Sequence, residues 1–133
     1  MKRNVAKKIL IIGGTGFIGF HLANFCKKKK YIVHIISRTK PKTSKRIKDI
    51  KYIKADISNK KKLKKALGNN LNFDFVINLG GEVQHDDGKK VKKSHFIGVK
   101  NLASIFLNRK IKSLYKLVAL WSMDIINHLI KKI

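Results

Sequence analysis

Residues 13–19 read Gly-Gly-Thr-Gly-Phe-Ile-Gly, and this glycine turn constrains the fold more than any other feature of the chain. It follows an apolar run of strand length, residues 8–12, and precedes a longer amphipathic stretch, residues 17–29. A strand-to-helix turn this tight requires Gly13, whose missing Cβ permits a left-handed backbone. Gly16 allows a bound group to approach the main chain closely, and Gly19 lets the helix lie against the strand. The same glycines could also serve packing alone, so their place between a strand and a helix is what gives them weight.

Apolar runs of strand length alternate with helical stretches along the rest of the chain. Strands are expected at 32–37, 51–54 and 73–79. A helix capped by Ser58 or Asn59 runs to about Leu67 and is ended by Gly68-Asn69-Asn70. Residues 90–108 place Val91, Phe96, Val99, Leu102, Ala103, Phe106 and Leu107 at helical spacing. This order predicts an α/β fold: a Rossmann-like, doubly wound parallel sheet, incomplete at about four to five strands, with helices on both faces. The polar stretch 39–46 reads as a linker.

The start of a helix offers free N–H groups and the positive end of a dipole, which suits a dinucleotide pyrophosphate. The segment K-I-L-I-I-G-G-T-G-F-I-G resembles the opening of the extended short-chain dehydrogenase/reductases, the NAD-dependent epimerase/dehydratase family. Ala55-Asp56-Ile57 resembles the family's acidic position at the adenine. Asn78-Leu79-Gly80-Gly81 resembles the segment that ends the fourth strand beside the cofactor, and Gly98-Val99-Lys100-Asn101-Leu102 resembles its G-T-x-N-L helix. The resemblance covers residues 8–108. It implies cofactor contacts at Gly13, Thr15, Gly16, Phe17, Ile18, Gly19, Ser37, Arg38, Asp56, Ile57, Leu79, Gly80 and Gly81. Where the family often has Asn before the helix glycine, this chain has His95.

An NAD-selective site places Asp or Glu after the second strand to accept both ribose hydroxyls. Here Ser37-Arg38 stands in that position with Lys40 nearby. A guanidinium forks onto phosphate oxygens, so Arg38 tilts the expectation towards NADP over NAD. Its alternative is one more exposed cation. Residues 82–87 (Glu-Val-Gln-His-Asp-Asp) lie at the carboxyl edge of the sheet and could touch the nicotinamide end or a substrate, or form a plain polar loop. No second His lies at ligand spacing, so no metal is expected. His21, His34 and Cys26 read as packing or surface residues.

Lys and Arg total 32 against 7 acids, a net charge of +25, which raises polyanion binding. Arg, however, supplies only positions 3, 38, 46 and 109, and the Lys runs fall in separate elements. Lys, Ile and Asn have A- and T-rich codons, so a low-GC genome and a solvated Lys surface account for the charge without nucleic acid. The glycines and polar His21 and Asn24 argue against a signal peptide, and no run suits a membrane span. The single Cys26 excludes an internal disulfide and fits a cytoplasmic location.

The resemblance further implies a Ser or Thr after the fifth strand and a Tyr-x-x-x-Lys pair, with Tyr as general acid/base. Four positions after Tyr31, Tyr52 and Tyr115 stand Ile35, Asp56 and Ala119. No catalytic residue is therefore assigned. The expectation is a dinucleotide-binding portion, inactive alone, whose small-molecule substrate belongs to a full-length parent. The alternatives are a non-catalytic dinucleotide-binding module and a basic nucleic-acid binder.

Residues 1–112 are expected to form the NAD(P)-binding domain and 113–133 an atypical tail, with no substrate domain. Permitted codons for residues 113–124 can be chosen so that another frame reads F-I-Q-I-S-S-S-M-E-Y-G, the strand and serine motif the resemblance calls for; this suggests a frameshift near Ser113. Residues 114–120 are apolar enough to occupy the fifth-strand slot regardless. An unpaired sheet edge would then favour association or aggregation.

Overall fold

The computed structural model describes residues 5–80, 88–107, 109, 111, 113–116 and 131. Five strands form one parallel sheet: β1 (Lys8–Ile12), β2 (Ile32–Ser37), β3 (Lys51–Lys54), β4 (Phe75–Asn78) and β5 (Ser113–Lys116). Their order is β3-β2-β1-β4-β5. Helices α1 (Phe17–Lys28), α2 (Lys60–Leu67), α3 (Gly88–Val91) and α4 (Gly98–Phe106) connect them, with a π turn, Lys92–Ile97, between α3 and α4. This is the incomplete doubly wound fold read from the sequence, and it places the switch in strand order between β1 and β4.

Alternation along the central strands builds a core on each face. Leu10, Ile12, Ile36 and Val76 face α2 and α4 and pack with Leu63, Leu67, Leu102 and Phe106. Ile9, Ile11, Val33, Ile35 and Ile77 face the other way and pack with Leu22, Ala23 and Cys26 of α1. Because β1, β2 and β4 are covered on both sides, they are apolar at nearly every position.

β1, β2 and β3 match the expected bounds. β4 is shorter than the expected 73–79, because Asp74 ends the run at its start: its carboxylate accepts from Lys8 N–H (2.8 Å), and its own N–H donates to the Lys8 carbonyl (2.8 Å). The ladder with β1 therefore begins at Phe75, opposite Ile9. Asn59 caps α2 by accepting from Lys62 N–H (3.0 Å), and Gly68 ends it at φ +57°. The expected single helix at 90–108 is instead α3, the π turn and α4. The polar stretch 39–46 contains a 3₁₀ turn, Thr43–Lys45. β5 pairs with β4 from Phe75↔Ser113 to Asn78↔Lys116 and takes the fifth-strand slot; residues 117–120 lie outside the described residues.

Candidate functional site

The glycine turn follows the carboxyl end of β1, at the point where the strand order reverses between β1 and β4. Gly13 continues β1 by donating its N–H to the Ile36 carbonyl (2.8 Å), and its φ of +76° requires glycine. A Cβ there would lie 2.9 Å from the Gly80 nitrogen, so the turns after β1 and β4 touch backbone to backbone. At Gly19 a Cβ would come within 2.4 Å of Gly14 Cα, which makes this glycine the contact that seats α1 on the turn. Gly14, to which the sequence reading gave no role, packs under Ile35: a Cβ would lie 2.8 Å from its side chain.

Gly16 differs from these three. Its φ and ψ of −76° and 175° suit any residue, and a Cβ would meet nothing nearer than the Gly13 carbonyl oxygen at 3.6 Å. The fold itself does not ask for glycine there. Gly16 is the N-cap of α1, where no side chain caps the helix and no acid stands in the first turn. The first helical bond, from Phe20 N–H to the Gly16 carbonyl (2.9 Å), leaves the N–H groups of Phe17, Ile18 and Gly19 ahead of it. Thr15 and Phe17 are exposed and Ile18 is half-buried. This turn fits a pyrophosphate by donor set, by dipole and by the absence of a side chain at the closest approach.

The other assigned residues that the structure describes follow the carboxyl ends of β2, β3 and β4. Arg38 is exposed just past β2, while the Ser37 hydroxyl is turned away to donate to the Thr39 carbonyl (2.6 Å). Asp56 follows β3, exposed, and its Oδ1 accepts from the N–H (2.9 Å) and hydroxyl (2.7 Å) of Ser58. Ile57 is buried in the core beside α2. Leu79 is half-buried and donates its N–H to the Ile12 carbonyl (2.9 Å); Gly80 donates to Asn78 Oδ1 (2.9 Å). Gly81 and residues 82–87 lie outside the described residues.

Two features were not legible beforehand. Asn101, the Asn of the G-V-K-N-L segment, is buried in α4 and donates to the carbonyls of Ile57 (2.8 Å) and Ser58 (3.0 Å). It thereby fastens the Asp56 loop to α4. The second is an open cleft of about 590 Å³ between the start of α1 and residues 41–47, lined in part by Thr15, Gly16, Phe17, Lys45 and Arg46. Only the spacing G-x-x-N in the helix hinted at the first.

Burial pushes the Cys26 thiol up to about 12, which removes it as a nucleophile. His34 sits buried in β2 against Phe73, with Asn70 Nδ2 3.4 Å from its Nδ1. Burial first, then the charges of Lys8 and Lys51, lower it to about 4, so it is neutral at pH 7. His21 is exposed on α1 and stacks edge-on with Phe17. Among the described residues no cluster of His, Cys, Asp and Glu could hold a metal ion, and no helix is long and apolar enough to cross a membrane.

Residues 9–123 match the model of the NAD dependent epimerase/dehydratase family. No curated protein sequence matches the chain. Among solved structures, the Bordetella bronchiseptica enzyme WbmG in complex with NAD aligns with TM-score 0.73 at 18% identity, over 87% of this chain and 38% of that one. UDP-glucose 4-epimerase from Thermotoga maritima, with UDP-glucose, aligns with TM-score 0.71 at 18% identity, over 82% and 37%. Uronate dehydrogenase from Agrobacterium tumefaciens gives 0.71 at 13% identity, over 86% and 41%. The chain thus spans about two-fifths of the length of these proteins.

Proposed function

Because the chain belongs to the NAD dependent epimerase/dehydratase family, we propose that it binds a nicotinamide dinucleotide across the carboxyl ends of β1 to β4. The observation that carries this reading is Gly16, a glycine that the protein's own packing does not require, at an uncapped helix start free of acids. The pyrophosphate would lie on the N–H groups of residues 17–19 beside Gly13, Thr15 and Gly16. The adenosine end would lie between Ser37-Arg38 and Asp56-Ile57, and the nicotinamide end towards Leu79, Gly80 and Gly81. When bound, the nicotinamide supplies reversible hydride transfer. What these residues do is bind and orient it. NADP is favoured over NAD through Arg38; NAD binding at least about tenfold tighter than NADP would overturn that preference.

Replacing Gly16 with Ala tests the reading directly, since the backbone there accepts any residue and the Cβ fits the free protein. The variant should keep its melting temperature while its affinity for NAD and NADP, measured by calorimetry, falls by about tenfold or more. Equal binding by both proteins would sink the proposal.

For a longer polypeptide containing this one, the family reading carries an oxidoreductase, epimerase or dehydratase acting on a nucleotide-sugar or related substrate. We propose residues 1–112 as the dinucleotide-binding domain and a change of reading frame near Ser113. Reading the coding DNA in three frames tests this: continuation through S-S-S-M-E-Y-G to a Tyr-x-x-x-Lys supports it, and early closure of the other frames overturns it.

A further inference from the structure

On the sheet face that packs against α2 and α4, Leu10, Ile36 and Ile53 of β1, β2 and β3 lie in the core. Two residues earlier on each of these strands stand Lys8, His34 and Lys51, and side chains two apart on a strand share a face. Register aligns the three across neighbouring strands: His34 pairs with Lys51 on β3 and with Leu10 on β1, next but one to Lys8. A surplus of Lys codons puts charge on the solvated surface. It does not account for a basic row continuing a buried one, with a histidine at its centre only 7% exposed.

Two of the three groups are held on a common support. Lys8 Nζ lies 4.9 Å from the centroid of the Phe73 ring, and the His34 ring meets the same Phe73 edge-on at 5.3 Å. Asn70, just past α2, joins the same pair: its Oδ1 accepts from Lys8 Nζ, and its Nδ2 lies 3.4 Å from His34 Nδ1. Because Lys8 draws the amide oxygen, Nδ2 is the donor to Nδ1, and the neutral imidazole carries its hydrogen on Nε2. The acid beside the row is Asp74, whose Oδ2 accepts from the Lys8 main-chain N–H (2.8 Å), and the last turn of α2 adds Lys64 and Lys65. The net field is positive. Burial and then Lys51 pull Lys8 below the ordinary lysine value, as burial, Lys8 and Lys51 lower His34.

We infer that Lys8, His34 and Lys51 form a site for a dianionic oxyanion of the phosphate type, at the end of the sheet opposite the glycine turn. β1 and β3 lie about 10 Å apart across β2, a gap that two lysine side chains close over one such group. Lysine meets phosphate as a point charge, without the fixed fork of a guanidinium. Binding is coupled to a proton taken from solvent. Lys8 Nζ turns from Asn70 to the anion, the freed amide rotates its oxygen towards the ring, and His34 gains its second proton at Nδ1. Charges then balance, with two ammonium groups and an imidazolium against the dianion and the Asp74 carboxylate. None of this depends on the dinucleotide reading.

The test follows the His34 ring of the full chain by NMR between about pH 7.5 and 4.5, in sulfate and in chloride at equal ionic strength, since sulfate keeps its two charges throughout. The expected result is that sulfate moves the His34 titration upward by about one pH unit, equivalent to about tenfold tighter binding by the protonated form. Lys51→Gln, at an exposed position, should abolish the movement, and so should Lys8→Met; if the latter does not fold, Lys51→Gln decides alone. Lys100→Gln, exposed on α4, should leave it intact. A titration indifferent to sulfate overturns the inference, as does an equal loss in Lys100→Gln, which would assign the effect to the diffuse surface charge. Calorimetry at neutral pH with inorganic phosphate and with glycerol phosphate then separates the sources. Tighter binding of the first assigns the site to the free ion and of the second to a phosphate ester, and binding of neither that depends on Lys51 overturns the inference.

Discussion

Gly16 and Gly19 belong to one turn and differ in what the fold asks of them: packing requires glycine at Gly19 and leaves Gly16 free for the role we propose in ligand binding. Gly19→Ala drives a Cβ to 2.4 Å from Gly14 Cα, so the expected result is a loss of about 1–3 kcal/mol in urea unfolding, the opposite of the silent Gly16→Ala. His34 supplies a residue-scale dependence on pH. Its folded pKa of about 4 lies below the 6.5 of the unfolded chain, so unfolding takes up a proton between those values. Stability is complete above about pH 6.5 and falls as pH drops towards 4, by about 2–3 kcal/mol. Urea midpoints between pH 7 and pH 4.5 should show this fall, and His34→Gln should flatten it; an equal slope in the variant would assign it to the carboxylates instead.

At the scale of elements, hydrophobic alternation and glycine placement made most of the fold legible. β1 and β2 follow from runs dense in Ile, Leu and Val, β3 from the short Tyr52-Ile53 pair between two lysines, and α2 from its Asn59 cap and Gly68 stop. What stayed hidden depends on contacts distant in sequence or specific to one side chain. The 3₁₀ turn at Thr43–Lys45 has no periodicity to read; hydrogen bonds from Arg46 to the Pro41 carbonyl and from Ile47 N–H to the Tyr52 hydroxyl flank it. The π turn is equally silent in the apolar spacing of residues 90–108. Asn101 stood out only as the Asn of a segment resembling the family's G-T-x-N-L helix, and the partners of its amide, two carbonyls of the β3–α2 connection, come from residues distant in sequence. Asn101→Ala should cost about 1–3 kcal/mol by leaving that connection unfastened. Amide exchange at residues 56–58 should then quicken more than in α1, and uniform quickening would argue for a general loss of packing.

At the scale of the whole molecule, the described sheet has β3 at one edge and β5 at the other. β3 presents exposed Lys51 and Lys54, which discourages another strand from pairing there. Among the described residues nothing pairs beyond β5. We propose self-association through that edge, opposed by the charge of +25. Added salt screens the repulsion, so sedimentation should show the associated fraction rising from low to moderate ionic strength; a monomer at every salt concentration would refute it. The contact between Gly13 and Gly80 reaches further than its size suggests. Where the strand order reverses, the floor of the crevice is main chain against main chain, and a side chain on Gly13 would force the two turns apart. In the dinucleotide site we propose, ligand preference is therefore open to redesign along the walls, at Arg38 and Asp56, and closed to it at the floor.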